Sequence, residues 1–194
     1  MKDRIKKYKE FLEDLSENRN IVTRESFFYT EFSPILGIDA AISLIHNGFC
    51  SSPASTKFHG NYAGGLFDHS LAMTVALLEL TDKLNLKWDT AYSPIKIGML
   101  HDLCKLGIYK ENKHEDGSIE YTHEKSYIPG HGIKSAILAQ RICKLSSEEC
   151  VCITHHMGAY EKECWNEYDL AIKKYPNVLY THTADMIASK IMGV

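Results

Sequence analysis

From Leu66 to Leu84 the apolar residues Leu66, Met73, Leu77, Leu80 and Leu84 recur at helical spacing, and a histidine, His69, takes one of the positions on the same face. A helix with that pattern turns His69 toward the core. The same placement of ionisable groups recurs along the chain. Pro94 suits the first turn of a helix that runs through Ile97 and Leu100 to the pair His101 and Asp102, with Gly107 as its end. Gly130, His131 and Gly132 precede a helix carrying Ile133, Ala136, Ile137 and Ile142, so His131 stands at its entrance. Ser147, with Glu148 and Glu149 in the first turn, caps a following helix that ends at His155 and His156 before Gly158. A last helix, from about Pro176, sets Asp185 between Val178 and Met192 at spacings of seven, on an otherwise apolar face.

These helices, one at the N-terminus through about Asn18 and one over Ile38 to Asn47, predict an all-α protein with few strands. The segments Lys110 to Gly130 and Ala159 to Tyr175 read as loops, the first as an exposed loop or small hairpin with His114 and His123 solvated. Tyr160, Trp165, Tyr168 and Tyr175 fit a substrate wall, a partner surface or plain packing. The chain of 194 residues suits one domain, a core over 51–194 with a helical N-terminal extension over 1–50 packed on it. With 22 basic against 25 acidic residues, there is no overall positive field to hold a polyanion. The start of the chain mixes both charge signs and lacks a signal peptide's apolar core, and no apolar run reaches the roughly 20 residues of a membrane span. A cytoplasmic protein is expected, with no membrane partner. Among six cysteines only Cys150 and Cys152 lie close in sequence, and no C-x-x-C pair is present, so free thiols packed as small hydrophobes are expected.

Burying Asp102 and Asp185 demands compensating positive charge. No buried Arg or Lys stands at a matching position in the pattern. Imidazoles converging with two carboxylates would instead supply nitrogen and oxygen ligands to a divalent ion such as Mn, Fe, Co, Ni or Zn. The order of the motifs is GGLFDHS at Gly64 to Ser70, LHDLCKLG at Leu100 to Gly107, GHG at Gly130 to Gly132, THHMG at Thr154 to Gly158 and HTADMIASK at His182 to Lys190. It resembles the HD-domain superfamily of metal-dependent phosphohydrolases, and the wording of YAGGLFDHS and HHMG is most similar to the branch with 3'-to-5' exoribonucleases. The resemblance implies a helical bundle around a metal site.

It further implies a first ion held by His69, His101, Asp102 and Asp185, with Asp102 bridging to a second ion held with His131, His155 and His156. Of the adjacent pair, His155 is the preferred ligand, since the second can face substrate. Lys105 matches a family lysine and would hold a phosphate oxygen, while Asp185 both ligates and orients the attacking water. His59 is a candidate for binding substrate or, like His156, for protonating the leaving group, with Gly60, Gly64 and Gly65 allowing close backbone approach to a ligand. His46, His114, His123 and His182 match no ligand position. The expected reaction is hydrolysis of a phosphodiester or nucleotide phosphate by a metal-activated water, with a nucleotide, another small phosphodiester or a short oligonucleotide as substrate. The alternatives are a di-iron oxygenase on the same ligand set and a metal-stabilised nucleotide sensor without turnover. The chain is too short to carry the OB-fold that the exonucleases join to this domain, which weakens RNA as substrate. Oligomeric state and substrate identity are not fixed by the sequence.

Overall fold

The computed structural model describes residues 1–123, 130–158 and 165–194. Among them the chain is mostly helical, with α1 (Lys2–Glu17), α2 (Ile21–Leu36), α3 (Ile38–His46), α4 (Gly65–Leu84), α5 (Ser93–Leu100), α6 (His131–Ile142), α7 (Ser147–Thr154), α8 (Trp165–Lys174) and α9 (Asn177–Met186). A short 3-10 turn over Leu103–Lys105 follows α5, and a π-helical turn over Ile187–Met192 continues α9. A single antiparallel hairpin pairs β1 (Tyr109–Lys113) with β2 (Ile119–His123), Tyr109 opposite His123. Residues 124–129 of the loop read over Lys110 to Gly130, and residues 159–164 with Tyr160 and Cys164, lie outside the described residues. No described helix is long and apolar enough to cross a membrane.

α4 is the axis of the molecule. Its residues from Gly65 to Leu78 are all buried, because α1, α5, α9 and the π turn pack around it. A helix buried on every side shows little amphipathic contrast, and the single face read from Leu66 to Leu84 underdescribes it. Leu84 itself, at the end of that face, is exposed. The glycines that precede His69 serve packing rather than a ligand. A Cβ on Gly65 would overlap the carbonyl oxygen of Gly60, and one on Gly64 would lie 2.6 Å from the Arg24 guanidinium.

Two helices escape the sequence reading. α2 opens at Asn20, whose side chain accepts from the Thr23 amide at 3.3 Å, and buries Phe28, Phe32 and Leu36 at four-residue spacing. Pro34 in its last turn masks the pattern. Its aromatics meet α1 and α4, with Phe27 stacked on Phe11 at 3.6 Å and Phe28 edge-on to Phe67 at 6.2 Å. The core thus runs unbroken from the N-terminal helices into α4. α8 occupies half of the segment read as a loop, and there Tyr168 is buried while Trp165 is exposed.

The cap of α7 is Ser146, one residue before the expected Ser147; its hydroxyl accepts from the Glu149 amide while the Glu149 carboxylate accepts from the Ser146 amide. The two glutamates do more than cap. Glu149 also accepts from the Ser93 hydroxyl at 2.8 Å, and Glu148 accepts from the Asn177 side chain at 2.8 Å, which ties α7 to α5 and α9. Cys50, Cys104, Cys143, Cys150 and Cys152 are free thiols, three of them buried.

One buried ion pair was absent from the sequence reading. Arg24 on α2, fully buried, donates to both carboxylate oxygens of Asp68 on α4 at 2.8 and 2.7 Å, and the Tyr62 hydroxyl adds a third bond at 2.9 Å. Asp68 precedes His69, so this pair fixes the start of α4 where the first site residue leaves it. Replacing Arg24→Met strands a buried carboxylate and is expected to lower stability by about 3–5 kcal/mol, whereas Arg24→Met with Asp68→Leu loses less. Urea unfolding of the three proteins measures both.

Candidate metal centre

His69 leaves the second turn of α4, His101 caps the C-terminus of α5, and Asp102 opens the 3-10 turn. His131 begins α6, His156 follows α7, and Asp185 lies in the last turn of α9. Gly132 permits this junction, since a Cβ there would overlap the Thr154 carbonyl at the end of α7. The side chains converge. His69 Nε2 lies 3.2 Å from His101 Nε2, 3.1 Å from Asp185 Oδ1 and 3.5 Å from Asp102 Oδ2, and His101 Nε2 lies 3.3 Å from Asp102 Oδ2. On the other oxygen of Asp102, His131 Nε2 stands at 2.7 Å and His156 Nε2 at 3.6 Å.

The outer nitrogens explain the inner ones. His69 Nδ1 bonds to the Val194 oxygen at 2.8 Å, His101 Nδ1 to the Gly98 oxygen at 2.8 Å and His156 Nδ1 to the Ile153 oxygen at 2.7 Å. A backbone carbonyl only accepts, so each Nδ1 carries a proton and each Nε2 is turned inward, where it offers a lone pair whenever the ring carries no second proton. Lone pairs of His69 and His101 at 3.2 Å repel unless a proton or a cation lies between them. The Nε2 atom of His156 is buried without a hydrogen-bond partner, an orphan that a cation would satisfy. Ligands at about 2.1 Å from one ion sit roughly 3.0–3.4 Å apart in octahedral or tetrahedral shells, which is the spacing seen around His69. His69, His101 and Asp102 therefore form a buried group able to hold a metal ion, and Asp102, Cys104 and His131 form a second. Burial pushes the Cys104 thiol up to about 12, in keeping with its reading as a neutral, hydrophobe-like side chain.

Two expectations change. His155, preferred from the sequence, has its ring 6.3 Å from Tyr168 of α8, while the His156 ring lies 5.0 Å from His101 and 5.5 Å from His131. Of the pair, His156 is the one whose Nε2 lies 3.6 Å from Asp102 Oδ1. The second change concerns buried charge. Lys105, one turn beyond Asp102, is itself buried and places Nζ 2.6 Å from Asp102 Oδ2. Burial works to strip its proton, but the neighbouring carboxylate more than offsets this and holds the ammonium above its ordinary range. With Asp185 included, two carboxylates face one ammonium, and one negative charge remains for a cation to balance.

Burial also works to protonate both aspartates. The Lys105 and His101 charges still hold Asp102 well below the usual carboxylate range, and the His69 hydrogen bond does the same for Asp185. A cavity of about 430 Å³ opens onto Asp102, Lys105, His131 and Asp185, with His59, His182 and Lys190 on its walls and Phe58, Met157 and Met186 beside them. His182 was read as an ordinary residue. It lies one turn before Asp185 on α9, which is the signal that places it on the same wall, and its Nδ1 bonds to the His156 oxygen at 2.8 Å. His59 is next to His69, ring centroids 4.8 Å apart. Burial, then the charges of His69 and Lys105, lower its imidazole to about 4. It is neutral at pH 7 and so does not supply a proton to a leaving group there.

That lowered value has a stability consequence. Between about 4 and the ordinary 6.5 the unfolded chain binds a proton that folded His59 does not, so the unfolding free energy rises with pH across that window. In metal-free protein, His59→Gln is expected to flatten this rise, and NMR titration is expected to place the His59 midpoint near 4; urea unfolding at several pH values checks the first. The chain matches no protein-family model, no curated protein and no solved structure with which it was compared, and the chemistry of the cluster carries the functional reading.

Proposed function

We propose that the protein is a metal-dependent phosphohydrolase of the HD-domain type. The observation that carries this reading is the convergence of three backbone-anchored imidazoles and Asp185 on Asp102, with the buried ammonium of Lys105 between Asp102 and an open cavity. His69, His101, Asp102 and Asp185 would hold one divalent ion, and Asp102, His131 and His156 a second, drawn from Mn, Fe, Co, Ni or Zn. Bound there, such ions supply Lewis acidity toward a phosphoryl oxygen and acidify a water.

The chain's own residues do the rest. Lys105 donates to Asp102 Oδ2, which fixes the carboxylate with one oxygen toward His69 and His101 and the other toward His131 and His156. Lys105 spends one of its donors on Asp102 and has others to direct at a non-bridging phosphate oxygen in the cavity. Asp185, held as a carboxylate, accepts a hydrogen bond from the attacking water and aims it at phosphorus. In the reaction the water gives up one proton to solvent, its oxygen bonds to phosphorus as the bond to the leaving oxygen breaks, and the leaving oxygen takes up a proton from solvent. The apolar side of the cavity, Phe58, Met157 and Met186, suits the organic portion of a nucleotide or another small phosphodiester better than a bare phosphate.

Chelator-stripped protein reconstituted with Mn is expected to hydrolyse bis-p-nitrophenyl phosphate equally well with and without oxygen. Asp102→Asn is expected to abolish turnover, and Lys105→Met to lower kcat by about 100-fold or more. Metal bound without turnover on this diester or on nucleotides would overturn the reading, and turnover that needs oxygen would replace it with the oxygenase.

A further inference from the structure

We propose that Gly193 and Val194 act as a positioning clamp for His69, fixing its ring so that Nε2 meets the metal centre. The Val194 oxygen accepts from Nδ1 at 2.8 Å, and Asp185 Oδ1 lies 3.1 Å from Nε2. Both oxygens belong to the same stretch after α8, so one segment supplies the outer hydrogen bond of the imidazole and sets a carboxylate beside its inner nitrogen. His101 and His156 take their outer hydrogen bonds from carbonyls three residues before them, Gly98 and Ile153. His69, in the middle of α4, has no such local partner, since the carbonyls of a continuing helix are engaged within it. Its outer nitrogen is instead satisfied from 125 residues away.

The approach depends on backbone geometry. After Asp185 the chain widens into the π turn over Ile187–Met192, which carries Met192 off the face predicted by its spacing from Val178 and leaves it exposed. Gly193 then turns the chain with φ of 76° and ψ of 19°, and the Ala188 carbonyl accepts from the amides of both Gly193 and Val194. That turn brings the Val194 oxygen over α4. Nothing lies within 4 Å of a Cβ built on Gly193, so a side chain there meets no steric obstacle. The cost of substitution comes from the left-handed conformation alone. It is large for a β-branched residue and small for Asn.

This inference rests on reading the cluster as a metal centre, and the two can fail separately. The test is Mn(II) titration of stripped protein, followed by the EPR signal of free Mn(II), on wild type, Gly193→Val, Gly193→Asn and a chain lacking residues 193–194. Gly193→Val and the deletion are expected to weaken binding by about 10–100-fold, the range for loss of a partner that orients a ligating histidine, while Gly193→Asn stays near wild type. A second readout needs no metal. The His69 Nδ1 proton is expected as a resolved exchangeable ring signal in NMR spectra of wild type and Gly193→Asn, and to be lost in Gly193→Val. Wild type that binds no Mn(II) overturns the metal centre and the clamp together. Wild type that binds with Gly193→Val and the deletion unchanged overturns the clamp alone, as does equal weakening in Gly193→Asn. A melting temperature that falls in the variants while affinity and the ring signal persist assigns residues 193–194 a structural role and likewise overturns it.

Discussion

A carboxylate carried into the interior by the turn after α5 has to be compensated, and the surroundings of Asp102 are organised around that requirement. Lys105 donates to one of its oxygens and His131 Nε2 lies 2.7 Å from the other, while His69 and His101 stand near the first and His156 near the second. Removing water from a carboxylate costs several kcal/mol unless its oxygens are met by donors or a cation. Because the compensating groups come from α4, α5, α6 and α7, the helices that supply them are held to one arrangement. Asp185 brings α9 to the same point through His69.

The second layer converts rings into ligands. An imidazole can point either nitrogen inward, and the choice lies with whatever meets the other one. Here the oxygens of Gly98, Ile153 and Val194 meet the outer nitrogens, so three Nε2 atoms face inward. Packing sets how near the elements come. Gly98 meets Thr74 where α5 crosses α4, and Gly132 meets the end of α7. In the sequence Gly60, Gly64 and Gly65 look like places for a ligand; in the fold, Gly64, Gly65 and Gly132 let the backbone that carries the histidines close up.

Much of the site was legible. His69, His101 with Asp102, His131 and Asp185 could be found because each is an ionisable residue at a helical position meant for the core or at a helix terminus, and helical periodicity is a local property. The helices α4, α5, α6, α7 and α9 were visible for the same reason. α2 was hidden by Pro34, whereas α8 carries Trp165, Tyr168 and Ile172 at helical spacing, with Tyr175 just past its end, a signal that the loop reading of 159–175 passed over. Where the pattern spoke of local capping, at Glu148 and Glu149, it was correct about the cap to within one residue and silent about the bonds to Ser93 and Asn177.

The sequence by itself determined which residues turn inward and in what order they occur, because side-chain direction follows from a 3.6-residue repeat and from where Gly and Pro end it. Only the tertiary structure decided the partners. His156 stands beside Asp102, and His155 has its ring 6.3 Å from Tyr168 of α8. Lys105 is buried rather than solvated because the 3-10 turn folds it back on Asp102, and Arg24 meets Asp68 across 44 residues of chain. The Val194 oxygen reaches His69 only after a π turn and a left-handed glycine redirect the backbone. Each of these is a meeting of groups remote in sequence or a small change in backbone direction, and spacing along the chain carries no record of distance through space.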